Sequence, residues 1–403
     1  MLRKLTALGI LTATALLPTA SPAADTRVEM TWMSIANWYF QVGDRRIMMD
    51  GYITRVPGPP FFYSPPNIPG DLYAYTKEGY PIDTASIKKV HEGLLGGAKL
   101  DYMLVGHSHF DHSWDSPTWS KMTGAQMIGG NSSCLQAQAQ ALPAAQCRSV
   151  SGGEKIELGN GVTIRVVRFN HSGDQSNPIQ HFARELYRPP VAEAKGFRGG
   201  VGEDYPNGGG NRAFLFTVDG PDGQLTFFVN NSASAFDLDK DVIVDGVSYG
   251  TPLGNLAAAM KDAGITRVDA WIGTGGEPVA KLIIPVIHPK VYIPNHWDGL
   301  FNPFWPGLPY PFKDDLLTAY LKAQGIPLMP QHQYFDKYVL TKAGVAMDEN
   351  HAIKAKLGFS DAQAFKQSTL DAMERVASTR SGEDCGEGFQ KGAWETLFAE
   401  VSR

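Results

Sequence analysis

The segment His107-Ser108-His109-Phe110-Asp111-His112 constrains this chain more than any other, because it puts three imidazoles and a carboxylate into one short loop behind the apolar run Asp101–Val105. That run reads as a strand. Neutral imidazole and carboxylate are the donors that suit zinc, and a catalytic zinc takes about three protein ligands while leaving a position open for water. A loop at a strand end can hold such donors rigidly. The competing account is a set of histidines that are neighbours by chance. It is a poor one, since only 10 of the 403 residues are histidine and an unpaired buried carboxylate is costly.

Around this segment the pattern alternates between two kinds of element. Short β-branched or aromatic runs at Val28–Met33, Trp38–Val42 and Arg46–Met49 predict an opening meander with a hairpin turn at Gly43-Asp44. Further strands are expected at Gln126–Ile128, Val162–Arg168, Ala213–Val218, Leu225–Val229, Val268–Ile272, Val291–Pro294 and Tyr338–Leu340. Helices are expected near Asp83–Leu95, Ser132–Ala141, Gly254–Ala263, Lys313–Ala323, Asp348–Leu357 and Asp361–Val376. This is an α/β chain whose sheets are covered by helices. With 43 glycines and 27 prolines it must also carry long irregular loops. Val56–Tyr75, rich in Pro, Phe and Tyr, reads as a pocket wall, and 182–212, with its Gly208-Gly209-Gly210 run, as an insertion. No repeat or linker divides residues 25–403, which read as one domain ending in a helical extension over 341–403.

The first 24 residues stand outside that domain. Arg3 and Lys4 precede an apolar run from Leu5 to Leu17, then Pro18 and the small residues Ala20–Ala24. This is the pattern of a signal peptide, and the run is too short and too broken by threonine for a membrane anchor. The expectation is an exported protein, secreted or periplasmic in a bacterium. An oxidising compartment would let Cys134 and Cys147 pair, leaving Cys385 over, while three unpaired buried thiols are the alternative. No other segment is long and apolar enough to span a membrane. A formal charge of −5 without a basic stretch argues against a nucleic-acid partner.

The histidine-rich segment, together with what surrounds it, resembles the metallo-β-lactamase fold hydrolases, in particular their lactonase-like and phospholipase-D-like branch. The resemblance covers Arg27 to about Trp297 and takes in Thr31–Val42 and the Asp50 turn. Asn170-His171-Ser172-Gly173 looks like the family's third histidine and Pro294-Asn295-His296-Trp297 like its last. The resemblance implies an αββα sandwich. It also implies that His107, His109 and His171 hold one zinc and Asp111, His112 and His296 another, so that the expected cofactor is one or two Zn2+ ions. One departure matters: Asn230-Asn231-Ser232 stands where the family commonly has an aspartate that bridges the metals. The second site is therefore expected to be the weaker. Asn231 or Ser232 is a candidate contact to metal or substrate, and Asn231→Asp is expected to tighten the second ion.

Zinc lowers the pKa of its bound water from about 15.7 to about 7. The resemblance thus implies a metal-bound hydroxide as nucleophile, with Asp111 as the catalytic residue that orients it and passes its proton on. The expected function is an exported zinc hydrolase acting on an ester, lactone or amide bond, a β-lactam included, in a small molecule with apolar parts. One rival is a phosphodiesterase or phospholipase, which needs cationic groups near the metals; Arg168, Arg184, Arg198 and Arg212 are candidates. Another is a metal-binding protein without catalysis. A di-iron redox centre is disfavoured, as the donors are rich in nitrogen and include one carboxylate. Of the other histidines, His181 is a candidate substrate contact, His91 and His351 read as exposed on helices, and His288 and His332 as structural. Phe61, Phe62, Tyr63, Phe304 and Trp305 could form an apolar mouth above the metals or pack as core.

Overall fold

The computed structural model describes residues 26–56, 79–171, 185–190, 196 and 210–378. The opening apolar runs form the meander β1 (Val28–Ser34), β2 (Asn37–Val42) and β3 (Arg45–Met49). Three short strands then join it in parallel, β4 (Tyr102–Leu104), β5 (Gln126–Gly129) and β6 (Cys147–Ser149). Parallel neighbours need crossovers. These are supplied by α1 (Thr84–Leu95), α2 (Phe110–Ser113), α3 (Ser116–Thr123) and α4 (Asn131–Ala139). Asp83 starts α1 by accepting the Ser86 backbone N–H at 3.0 Å, and Gly96, left-handed at φ 59°, ends it.

The second sheet begins as an antiparallel run of β7 (Lys155–Gly159), β8 (Val162–Phe169), β9 (Asn211–Gly220) and β10 (Gly223–Val229). A small hairpin, β11 (Ile243–Val244) and β12 (Val247–Ser248), precedes α5 (Pro252–Ala263). The parallel strands β13 (Ala270–Gly273) and β14 (Tyr292–Pro294) follow, connected by α6 (Gly276–Ile287). After α7 (Asp315–Ala323) the chain returns to the first sheet as β15 (Lys337–Thr341) and β16 (Gly344–Asp348), then ends its described part in α8 (His351–Leu357) and α9 (Gln367–Ser378). The strand orders are β16-β15-β1-β2-β3-β4-β5-β6 in the eight-stranded sheet and β14-β13-β10-β9-β8-β7 in the six-stranded one.

Aromatic contacts lock the two sheets face to face. Phe40 of β2 meets Phe216 of β9 at 5.5 Å between ring centres, and Phe216 stacks on Phe227 of β10 at 4.3 Å. Along β8 and β9, Val166, Phe214 and Phe216 point into this layer, whereas Val167, Phe169, Ala213 and Leu215 point to a second core beneath α5, α6 and α7. Burial on both faces explains why these strands read as unbroken apolar runs. On the far side α3 and α4 cover β4 to β6, and α8 packs on α1. The result is the expected αββα sandwich.

Three features differ from the sequence reading or complete it. The extension expected to be helical from 341 opens as a hairpin: β16 pairs β15, which pairs β1. Only alternate residues of β16 are half-buried, so its sequence carries little apolar signal. Helix α6 went unread because Gly275-Gly276 and an internal Pro285 look like breaks; Pro285 sits in the last turn and is tolerated. Cys134 of α4 and Cys147 of β6 form a disulfide with Cα atoms 5.6 Å apart. A fully buried ion pair of Lys354 with Asp336 anchors α8 to the turn before β15. The signal-peptide segment, most of the Val56–Tyr75 loop and most of the 182–212 insertion lie outside the described residues. Among those described, no helix is long and apolar enough to cross a membrane.

Asp115, at the start of α3, ties the histidine segment to the chain leaving β3: its Oδ2 accepts the backbone N–H groups of Ile53 at 2.6 Å and Thr54 at 2.7 Å. Burial nonetheless pushes its carboxyl up from 3.8 to about 6, because the hydrogen bonds to the ionised form only partly offset desolvation. The folded state therefore holds a proton that the unfolded chain has released, and this contribution to stability falls as pH rises from about 4 through about 6. Asp115→Asn should abolish it. Relative to the variant, the parent should lose on the order of 2–3 kcal/mol between pH 4 and pH 7. Denaturant unfolding at the two pH values checks this, and a pH-independent difference would refute it.

Candidate metal centre

The six donors expected from the sequence meet at one end of the sandwich, where β4, β8 and β14 finish. His107 and His109 follow β4 in a short bent segment, and their rings meet at 4.8 Å between centres. At Phe110 the chain turns into α2, which carries Asp111 and His112 to a different side. Phe110 itself is buried against Tyr52 and Phe301, with ring centres 5.8 Å from each. His171 follows β8 and joins the first pair, at ring-centre distances of 4.7 Å from His107 and 4.4 Å from His109. Asn211 steadies that loop, its Nδ2 donating to the carbonyls of Asn170 at 3.0 Å and Ser232 at 2.9 Å.

His296 follows β14 and joins the other pair. Its backbone is left-handed at φ 60°, a conformation that costs energy for a residue with a β-carbon, and it is held there by the backbone bond from His296 N–H to the Ile35 carbonyl at 3.0 Å. Ile35 is fixed in turn by Asp298, which accepts its N–H at 2.8 Å. Two groups of three donors result: His107, His109 and His171, and Asp111, His112 and His296. All six are buried. The rings of His107 and His112, centres 3.9 Å apart, form the seam between the groups.

The chemistry of these donors fits metal ions. His107 is fully buried, yet neither ring nitrogen has a hydrogen-bond partner, and the same is true of His109 Nε2. Orphaned buried donors of this kind are rare and call for an ion or water. In the second group Asp111 Oδ2 lies 3.0 Å from His112 Nε2 and 2.9 Å from His296 Nε2, and the two nitrogens are 3.2 Å apart. A four-coordinate zinc with bonds of about 2.0–2.1 Å separates its ligands by about 3.3 Å, nearly the same spacing.

The electrostatics divide the centre unevenly. Burial holds His109 down at about 3 and His107 well below 6.5, so both rings are neutral, as metal binding requires. Burial also acts to lower His112, but the Asp111 and Asp50 carboxylates outweigh it and raise the imidazole to about 10. For Asp111, burial works upward, yet His112 and His296 hold its carboxyl well below the usual range.

Asp50, just past β3, is the residue that the sequence reading placed only in a turn. His112 Nδ1 lies 2.8 Å from its Oδ2, and the Gly106 N–H donates to its Oδ1 at 3.0 Å. A carboxylate behind a ligating histidine fixes the tautomer and the ring. Asn231 belongs to the same cluster: its Nδ2 donates to Asp50 Oδ2 at 2.9 Å, passing so close to Gly106 that a β-carbon there would lie 1.6 Å from it. The amide nitrogen is thus engaged with Asp50, which leaves Oδ1 as the atom that could face a ligand. Ser232 contributes the backbone carbonyl that Asn211 holds.

Other candidates fall away from the centre. Arg168 and Arg212 face each other across β8 and β9 and turn to Glu185; Arg212 forms an ion pair with it, and Arg168 lies 3.7 Å away. His91, expected to be exposed, is half-buried, with Nε2 2.9 Å from the Ala98 carbonyl. His288 ends α6 in left-handed conformation and does not enter a strand, and His332 lies in the loop before β15. His351 is exposed beside Glu349 and Asp361, a surface cluster. Phe304 and Trp305 pack as core around Tyr334 and Phe359. His181, Arg184, Arg198, Phe61, Phe62 and Tyr63 lie outside the described residues.

Two face-to-face sheets between helices, with these donors at the strand ends, decide the fold. It is the metallo-β-lactamase fold. No family model matches the chain. Among curated proteins it is similar to a UPF0173 metal-dependent hydrolase of Pyrobaculum islandicum, 26% identical over 151 residues, covering 38% of this chain and 54% of the relative. A UPF0173 protein of Pyrococcus furiosus is 30% identical over 116 residues, 27% of this chain and 53% of the relative. The chain thus spans about half the length of the curated relatives it matches. Among solved structures it is similar to Igni18, a metallo hydrolase from Ignicoccus hospitalis, at 13% identity and a TM-score of 0.43, covering 78% of this chain and 98% of that one.

Asn231 also contributes to the metal-free protein through its bond to Asp50. A carboxylate in its place would face Asp50 where an amide now donates, so Asn231→Asp should lower the stability of the metal-free protein, by about 1–3 kcal/mol. Denaturant melts with chelator present check this; an unchanged midpoint would show that the 2.9 Å bond contributes nothing.

Proposed function

We propose that the protein is a zinc-dependent hydrolase of ester, lactone or amide bonds in small molecules with apolar parts, and that it acts outside the cytoplasm. The observation that carries this reading is the convergence of six buried donors, with His107 left unsatisfied by any protein group. The names of the curated relatives, metal-dependent hydrolases, support the reaction class. Zinc held by these groups would supply a water acidified to near neutrality and a Lewis acid for the scissile carbonyl.

The chain's own residues have distinct parts in the reaction. His107, His109 and His171 would hold one ion, and Asp111, His112 and His296 the other. Asp111 is the only carboxylate among the six donors, and it is the group able to take a proton from the attacking water and return it to the leaving group. Asp50 keeps His112 turned toward Asp111 and His296. The apolar cluster of Ile35, Tyr52, Phe110 and Trp114, with Phe301 against it, is buried core that backs the donor loop.

Among the described arginines, Arg168 and Arg212 are committed to Glu185 and to the carbonyls of Ser151 and Val150, which favours a carboxylic substrate over a phosphodiester. Export is supported by the leader-like residues 1–24 and by the Cys134–Cys147 disulfide, since such bonds persist in oxidising compartments.

Purified protein should hydrolyse chromogenic esters, lactones or β-lactams faster than a phosphodiester, lose activity to a chelator and recover it with zinc. His107→Ala should reduce the rate on the order of 10²-fold or more, since partners outside the ligand set alone are worth 10–100-fold. Activity that survives complete metal removal would overturn the proposal, and a preference for the phosphodiester would overturn the substrate class.

A further inference from the structure

The two donor groups differ in three respects that bear on which ion binds first. The first difference is the donor set: His107, His109 and His171 supply imidazole nitrogens alone, whereas the other group contains the Asp111 carboxylate and has Asp50 directly behind His112. A dication entering the second group meets one carboxylate as a ligand and another beyond it. The second difference is preorganisation. Asp111 Oδ2, His112 Nε2 and His296 Nε2 already lie 2.9–3.2 Å apart, close to the spacing a bound ion imposes. The third is ring support: Asp50 fixes His112 through Nδ1, but His107 has no acceptor on either nitrogen, so one remains unsatisfied even after the other binds metal.

From these observations we infer that metal loading is ordered, the Asp111–His112–His296 group filling first and the three-histidine group second, with Asp50 as the positioning residue that sets the order. The inference rests on the metal-centre reading proposed above. It reverses the expectation drawn from the absent bridging aspartate. A bridge would have given both ions a shared negative ligand, but Asn231 carries an amide there and donates it to Asp50. The ion of the three-histidine group must also enter against the charge of the one already bound.

The test uses the full chain, stripped with chelator and titrated with Zn2+ alone. Wild-type protein should bind one equivalent at least tenfold more tightly than the next. Crystals carrying one equivalent should show anomalous zinc density between Asp111, His112 and His296. His171→Ala should keep the tight equivalent and lose the weak one, and His296→Ala should do the opposite. Asp50→Asn should weaken the tight equivalent about 10–100-fold and leave the weak one unchanged, a split that general loss of structure would not produce. Density first at His107, His109 and His171, or equal density at both groups, would overturn the loading order while leaving the hydrolase reading intact. Failure of the folded wild-type protein to bind zinc at either group would instead overturn that reading. The diffraction measurement needs no variant, so a substitution that fails to fold leaves the test decisive.

Discussion

One buried carboxylate, that of Asp50, determines how the donor-bearing end of this molecule closes. It accepts from the Gly106 backbone, the His112 ring and the Asn231 amide, and so joins the ends of β3, β4 and β10. An ionised carboxylate without such partners would cost several kcal/mol to bury. Its donors are therefore obligatory, and the loop that carries the histidines has to pass where they can reach it. Asp50 adopts a left-handed backbone at φ 61°, and so does His296 at φ 60°. Two strained residues in one small centre mean that the surrounding sandwich over-determines their positions, and the strain sits where the donors must be aimed.

The division of the centre follows from a single change of backbone conformation. His107 and His109 lie before Phe110 and group with His171, and the turn into α2 at Phe110 sends Asp111 and His112 to the other group. Six residues of sequence thereby serve two donor groups of unlike charge. Burial makes the contrast sharper: it drives His107 and His109 to the neutral state, while His112, caught between two carboxylates, retains its proton far longer.

Much of the fold was legible because its strands are buried on both faces. Val162–Phe169 and Asn211–Gly220 read as apolar runs since Val166 and Phe214 meet one core while Val167 and Leu215 meet another. The elements that escaped notice lack such a signal. β16 lies at a sheet edge with alternate residues exposed, and α6 hides its helical period behind Gly275, Gly276 and Pro285. The arginines illustrate the same limit in the site. Arg168 and Arg212 looked available for a substrate's charge until their register across β8 and β9 set both against Glu185.

The sequence by itself determined the donor types, because imidazole and carboxylate chemistry is a local property and a strand followed by a histidine-rich loop can be read without knowing what lies across from it. Tertiary structure alone decided the partners. Asp50 matters because β3 lies beside β4 in the sheet, and Asn231 because β10 ends opposite Gly106; neither adjacency is written in spacing along the chain. The sequence shows only the exchange of an expected bridging acid for an amide. In the fold it is a hydrogen bond to the carboxylate that orients His112, since the role of a side chain depends on which atoms packing brings within 3 Å of it.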